Sequence, residues 1–218
     1  MKAAWYERTG EAQKVLQIGE LDNPLPNKGE VLVQLKTSGI NPSDVKTRAG
    51  ARGDLQFPKI VPHSDGAGTI VDVGEGVDKK RIGERVWIWN GAFGRAFGTC
   101  AELISLPEFQ AAKINDSVDF KSAACMGIPA STAYYGIFAN GSVKDKTVLI
   151  SGGAGAVGFY GIQLAKLSGA SVITTISSDE KAEVAQEAGA DKVINYKNED
   201  VVEEIMNFSN NKGVDRIF

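Results

Sequence analysis

Thr147-Val148-Leu149-Ile150-Ser151-Gly152-Gly153-Ala154-Gly155-Ala156-Val157-Gly158 is an apolar, β-rich run that passes through glycines into a helix-compatible segment. It reads as strand, phosphate-binding turn and helix. Gly153, Gly155 and Gly158 fit the spacing G-x-G-x-x-G. In that pattern one glycine makes the tight turn, one lets backbone N–H groups approach a pyrophosphate, and one lets helix and strand pack closely. The helix N-terminus then faces the anion with its positive dipole end. Glycine loops punctuate many folds, so the residues that follow decide the matter.

A helix is predicted from Gly158 to Ser168, with Gly158, Ile162 and Ala165 on its inner side and Gly169 as its stop. Ser171 to Ile176 is β-branched and apolar, as a strand covered on both faces requires. A helical segment from Asp179 to Ala188 stopped by Gly189, a strand at Lys192 to Asn195, a helical segment from Glu199 to Phe208 and a strand at Val214 to Phe218 complete the series. Alternating strand and helix predicts a parallel sheet with right-handed crossovers, a doubly wound nucleotide-binding α/β domain.

The residues before the loop have a different style. Strands are predicted at Met1 to Tyr6, Val15 to Glu20, Glu30 to Ser38, Ala67 to Val73, Arg85 to Trp89 and Cys100 to Leu106, with little helix between them, which suggests a β-barrel-like domain. Asn41-Pro42-Ser43-Asp44 can open a short helix. Ser122 to Met126 and Ser131 to Phe138 read as helical, with Gly127-Ile128-Pro129 breaking them. The domain boundary is placed near residues 120 to 128, giving domains over 1–122 and 123–218.

The 218 residues are 43% hydrophobic and 23% charged, enough for a substantial core. A net charge of −3 and a pI near 5.3 provide no basic field, and no Lys/Arg run interleaved with aromatics occurs, which disfavours a nucleic-acid partner. Met1 to Tyr6 lacks the apolar core of a signal peptide and no stretch is long enough to cross a bilayer, so a soluble cytoplasmic protein without a membrane partner is expected. Cys100, Cys125 and His63 are the whole complement of cysteine and histidine. That count excludes a close-set structural zinc site, and a catalytic zinc would need all three to converge or carboxylates to substitute.

Taken in order, Gly-Ile-Asn-Pro-Ser-Asp at 39–44, Pro-His-Ser-Asp-Gly-Ala-Gly at 62–68, Gly-Ile-Pro-Ala-Ser-Thr-Ala-Tyr at 127–134 and the glycine loop make the chain resemble the zinc-free medium-chain dehydrogenase/reductases. Within them it is most similar to the zeta-crystallin type quinone oxidoreductases. The resemblance implies a GroES-like first domain, a Rossmann second domain, an active site in the cleft between them, and hydride transfer from NADPH to a quinone-type acceptor without a metal. Asn41 stands where zinc-dependent relatives place a cysteine ligand, and Ser64 where they place a histidine. His63 falls one position early and reads as a cleft-edge or core histidine rather than a catalytic acid, because nothing in the sequence supplies an orienting partner. The resemblance places Asn41 beside the nicotinamide or substrate and Thr132 near the cofactor's phosphate or ribose. The plainer readings are a turn asparagine and a helix-face threonine. Lys46 replaces a tyrosine that many such reductases carry, which leaves the substrate open.

An NAD-binding unit places a carboxylate at the end of its second strand; here that strand ends at Ile176-Ser177. Ser177, Ser178 and Lys181 can instead receive a 2′-phosphate, and the resemblance gives a similar task to Lys181 and Tyr196, so NADPH is favoured. The competing reading makes Ser178 an N-cap, Asp179 and Glu180 a first helical turn, and Lys181 a solvated side chain. The backbone of Gly152, Gly153, Ala154, Gly155, Ala156, Val157 and Gly158 is expected to hold the diphosphate. Two further readings stand beside quinone reduction: an NADPH-dependent enone or alkenal reductase, and a non-catalytic NADPH-binding protein with a crystallin-like or RNA-binding role. Only the first four strands of a dinucleotide domain precede Phe218, so a fragment of a longer parent, itself a homo-oligomer, is expected.

Overall fold

The computed structural model describes all 218 residues, and its backbone falls into two units, Met1–Ile128 and Pro129–Phe218. In the first, β1 (Lys2–Trp5), the single-turn α1 (Ala12–Val15) and β2 (Gln17–Glu20) are followed by β3 (Glu30–Gly39), α2 (Pro42–Arg48), β4 (Asp65–Val73), β5 (Arg85–Ile88), β6 (Leu103–Pro107), β7 (Ala111–Lys113) and α3 (Phe120–Ala124). β1 and β2 pair antiparallel, and a separate antiparallel sheet runs β6-β3-β4-β5-β7. Val31 and Val33 of β3, Ile70 of β4, Val86 and Ile88 of β5, and Ile104 and Leu106 of β6 bury one core, as period-two alternation demands. Ala67 packs with Ala123 and Ala124 of α3 in a smaller one.

Three upstream expectations change. Val15 belongs to α1, so the strand starts only at Gln17; Cys100 lies outside β6. Gly127-Ile128-Pro129, expected as a break, opens α4 (Gly127–Phe138). Proline is accommodated in a first turn because the N–H it lacks would have no intrahelical partner there.

The second unit continues as β8 (Thr147–Ile150), α5 (Ala156–Leu167), β9 (Ser171–Ile176), α6 (Asp179–Glu187), β10 (Lys192–Asn195), α7 (Val201–Phe208) and β11 (Arg216–Ile217). All pairs are parallel in the order β10-β9-β8-β11. That is the first four strands of a doubly wound sheet, with the reversal of order beside β8. Val148 and Ile150 face Ile162 and Ala165 of α5 and Ala185 of α6, whereas Leu149, Ile173 and Ile194 face Val201 and Ile205 of α7. Both faces are covered, which explains the unbroken apolar strands. Gly169 and Gly189 stop their helices at φ +83° and +102°.

Arg216 on β11 donates to the carbonyls of Ile137, Asn140 and Gly141 at the C-terminal end of α4. Ile137 O is one of the acceptors a helix end leaves unmet, the other two carbonyls belong to the turn that follows, and a guanidinium also complements the negative dipole end. Arg216→Ala is expected to destabilise the second unit by about 1–2 kcal/mol, read as faster hydrogen exchange of its sheet amides.

Candidate functional site

The chain leaves β8 at Ile150 and turns at Gly152, whose φ of +68° makes it the left-handed residue rather than any of the three in the spacing pattern. Gly153 is needed for a different reason: a Cβ there would meet Thr174 Oγ1 of β9 at 2.3 Å and Ile162 Cδ1 of α5 at 2.8 Å. Gly155 is the N-cap of α5, and a Cβ on Gly158 would strike the carbonyl oxygen of Gly152 at 2.4 Å. Strand, loop and helix are thus in contact with no room for side chains between them.

The amides of Gly152, Gly153 and Gly155 are used within the fold, donating to Thr175 Oγ1, Thr175 O and Gly152 O. Those of Ala154, Ala156, Val157 and Gly158 have no acceptor in the protein. Gly155 brings no capping side chain to the helix end. Unmet donors at the positive end of a twelve-residue helix, beside a turn kept free of side chains, form a cradle for an anion, and a dinucleotide diphosphate fits that chemistry.

At the same edge of the sheet β9 ends at Ile176, and Lys181 Nζ lies 2.9 Å from Ser177 Oγ. Ser178 is the N-cap residue of α6 yet its side chain makes no capping bond, so its hydroxyl is not committed to the helix. Tyr196, half-exposed, donates its backbone N–H to Ile176 O. Ser177, Ser178, Lys181 and Tyr196 therefore gather at the carboxyl ends of β9 and β10. Asp179 and Glu180 are exposed in the first turn of α6, and Thr132 is exposed on α4 in this unit.

Asn41 belongs to the first unit and is buried there as the N-cap of α2. Its Nδ2 donates to Asp65 Oδ2 at 2.8 Å and its backbone N–H to Asp44 Oδ2 at 2.7 Å. Ile128 N donates to both Asp65 oxygens at 2.9 Å. Asp65 is only 1% exposed, and burial raises its pKa to about 6 against the pull of these hydrogen bonds. Burial likewise raises Asp44 and lowers His63, with the attraction of the pair opposing both changes.

Beside them is a pocket of about 560 Å³ within this unit, whose lining includes Tyr6, Asp44, Arg52, Phe57, His63 and Phe93. Lys46 is exposed on α2 outside that lining. Arg95 also reaches the pocket, with Nη2 on Gln110 Oε1 at 2.6 Å and Nη1 buried without an acceptor. Asp44 and Asp65 lie within the stretches that carry the family resemblance, where no role is read for them, and Arg95 lies in no such stretch; only the fold brings Asp44 and Arg95 to one pocket. No group of three or more His, Cys, Asp or Glu side chains is arranged to hold a metal ion, and no helix is long and apolar enough to cross a membrane.

Residues 27–149 match the alcohol dehydrogenase GroES-like domain and residues 156–218 the zinc-binding dehydrogenase family. The quinone oxidoreductase of Rattus norvegicus is 30% identical over 195 residues, 89% of this chain and 58% of that protein. Among solved structures, the quinone oxidoreductase of Escherichia coli complexed with NADPH superposes with a TM-score of 0.83 at 29% identity, over all of this chain and 65% of that one. An NAD-dependent alcohol dehydrogenase superposes at 0.87 with 29% identity, over all of this chain and 70% of that one. The chain thus spans less than two thirds of the length of the curated relative it matches. With a GroES-like sheet unit, a parallel dinucleotide-type unit and family matches along nearly its whole length, the chain belongs to the medium-chain dehydrogenase/reductase family.

Proposed function

We propose that the second unit binds NADPH, that the pocket of the first unit receives a quinone-type acceptor, and that the protein is an NADPH-dependent quinone oxidoreductase. The observation that carries the cofactor choice is the end of β9: a serine and a lysine in hydrogen-bond contact, where an NAD site would place a carboxylate. Fold likeness cannot make that choice, since an NADPH complex and an NAD-dependent enzyme both superpose closely.

The amides of Ala154, Ala156, Val157 and Gly158 would hold the diphosphate, and Ser177, Ser178, Lys181 and Tyr196 the adenosine end; Thr132 would contribute from α4. The bound nicotinamide supplies the hydride. The protein's part is to bind, orient and shield from water. Asn41 would act as a positioning residue, since its amide nitrogen already holds Asp65 and fixes the start of α2. Phe57 and Phe93 give the pocket apolar surface suited to a planar ring.

Lys181→Ala is expected to raise the NADPH dissociation constant about tenfold through loss of one charge-assisted contact to the phosphate, while changing the NADH value less than twofold. Equal losses for both dinucleotides, measured by fluorescence titration, would refute the 2′-phosphate assignment.

A further inference from the structure

His63 is the single histidine of the chain, and its backbone holds a φ of +78°. A non-glycine residue in that region is strained and persists where the surroundings over-determine it. The ring is anchored from one side. Nδ1 lies 2.9 Å from Ser38 Oγ, which lies 2.9 Å from Thr99 Oγ1, and Thr99 donates to the backbone oxygen of Asp65 at 2.6 Å.

The last member of this series sets the direction of every proton in it. A carbonyl oxygen only accepts, so Thr99 spends its one proton on Asp65 and must accept from Ser38. Ser38, its own proton then spent, must accept from Nδ1–H of His63. The ring is thereby the Nδ1–H tautomer and carries its lone pair on Nε2. Nε2 has no hydrogen-bond partner in the protein, and the ring lines the 560 Å³ pocket. Burial, against the pull of Asp44, favours the neutral form.

We propose that His63 is a specificity-determining residue of this pocket, its Nε2 accepting a hydrogen bond from the hydroxyl of an aromatic diol, the reduced form of a quinone. A carbonyl or ether oxygen brought to the same place would set acceptor against acceptor and leave Nε2 unsatisfied. At Nε2 the diol is therefore favoured over its ether, and a quinone seated in the same pocket would turn its oxygens away from Nε2. The choice of aromatic ligand rests on the quinone reading above; the direction of the hydrogen bond rests on the relay alone.

The test uses the full chain with isotopically labelled histidine, so that one imidazole is observed by nitrogen NMR, titrated with hydroquinone and with its dimethyl ether. The expected results are an Nδ1–H tautomer at neutral pH, an Nε2 resonance that moves with hydroquinone, and about tenfold tighter binding of hydroquinone than of the ether, the worth of one hydrogen bond. His63→Gly is expected to erase that preference in a chain that still folds, because the relief of the positive φ offsets the hydrogen bond lost at Ser38. An Nε2–H tautomer, no response to hydroquinone, equal affinities, or a preference that survives in His63→Gly would each overturn the inference. NADPH titration of the same sample separates the two readings. Dinucleotide binding without diol preference defeats only the role of His63, and diol preference without dinucleotide binding defeats only the cofactor assignment.

Discussion

Gly158→Ala is expected to raise the dissociation constant for NADPH by at least about 100-fold. The added methyl would sit 2.4 Å from the carbonyl oxygen of Gly152, a backbone atom that cannot swing aside. Helix α5 and the turn must therefore separate, and the unmet amides of Ala154, Ala156, Val157 and Gly158 lose their common direction. Losing even two charge-assisted hydrogen bonds to a diphosphate is worth roughly 3 kcal/mol or more, which is that factor. Overpacking adds a stability cost of about 1–3 kcal/mol to the second unit. Gly161→Ala provides the control on the same helix, because its methyl would meet the Phe218 ring at 3.2 Å, a side chain able to yield. Its NADPH affinity should stay within about threefold of wild type. If Gly158→Ala bound NADPH within tenfold of wild type, the loop would not be the diphosphate site.

The second large effect concerns Asp65. Its carboxyl, held at about 6 in the fold against 3.8 for an ordinary aspartate, binds a proton more tightly folded than unfolded. Protonation therefore favours the folded state. The stabilisation is fully present below about pH 4 and is lost as the pH rises through 6, and the gap amounts to roughly 3 kcal/mol. Asp65→Asn removes that titration, so the stability of wild type relative to the variant should fall by about 2–3 kcal/mol between pH 4 and pH 7. Taking the difference cancels contributions common to both proteins, such as the opposite one from His63, whose lowered pKa costs stability as the pH falls. Tryptophan fluorescence follows this unit alone, since Trp5, Trp87 and Trp89 all lie in it. A pH-independent difference would mean that the Asp65 carboxylate is stabilised by its partners as well as it is by water.

How much of this was legible before the fold was known depends on how far apart the interacting residues lie in the chain. The strands Ser171–Ile176 and Lys192–Asn195 fall where periodicity and β-branching put them, and α5 starts two residues earlier than predicted because Gly155 takes the N-cap. The last strand shrinks from five predicted residues to Arg216–Ile217 in the ladder. Gly127-Ile128-Pro129 misled because proline stops a helix interior but is tolerated in its first turn. Within the glycine loop the spacing was readable, but the left-handed turn belongs to Gly152, outside the matched triplet.

By itself, the sequence determined the alternation of strand and helix after residue 147, the glycine loop, the missing carboxylate after Ile176 and the shortage of cysteine and histidine for a zinc site. Each is a matter of near neighbours or of counting, and local periodicity suffices for both. Only the tertiary structure decided the pairing of Asn41 with Asp65 and the relay from His63 through Ser38 and Thr99. Those partners stand 24, 25 and 61 residues apart. Their hydrogen bonds exist because β3, β4 and the segment before β6 are brought side by side, and a proton's position along such a path is set by the last acceptor, which no neighbouring residue in the chain reveals.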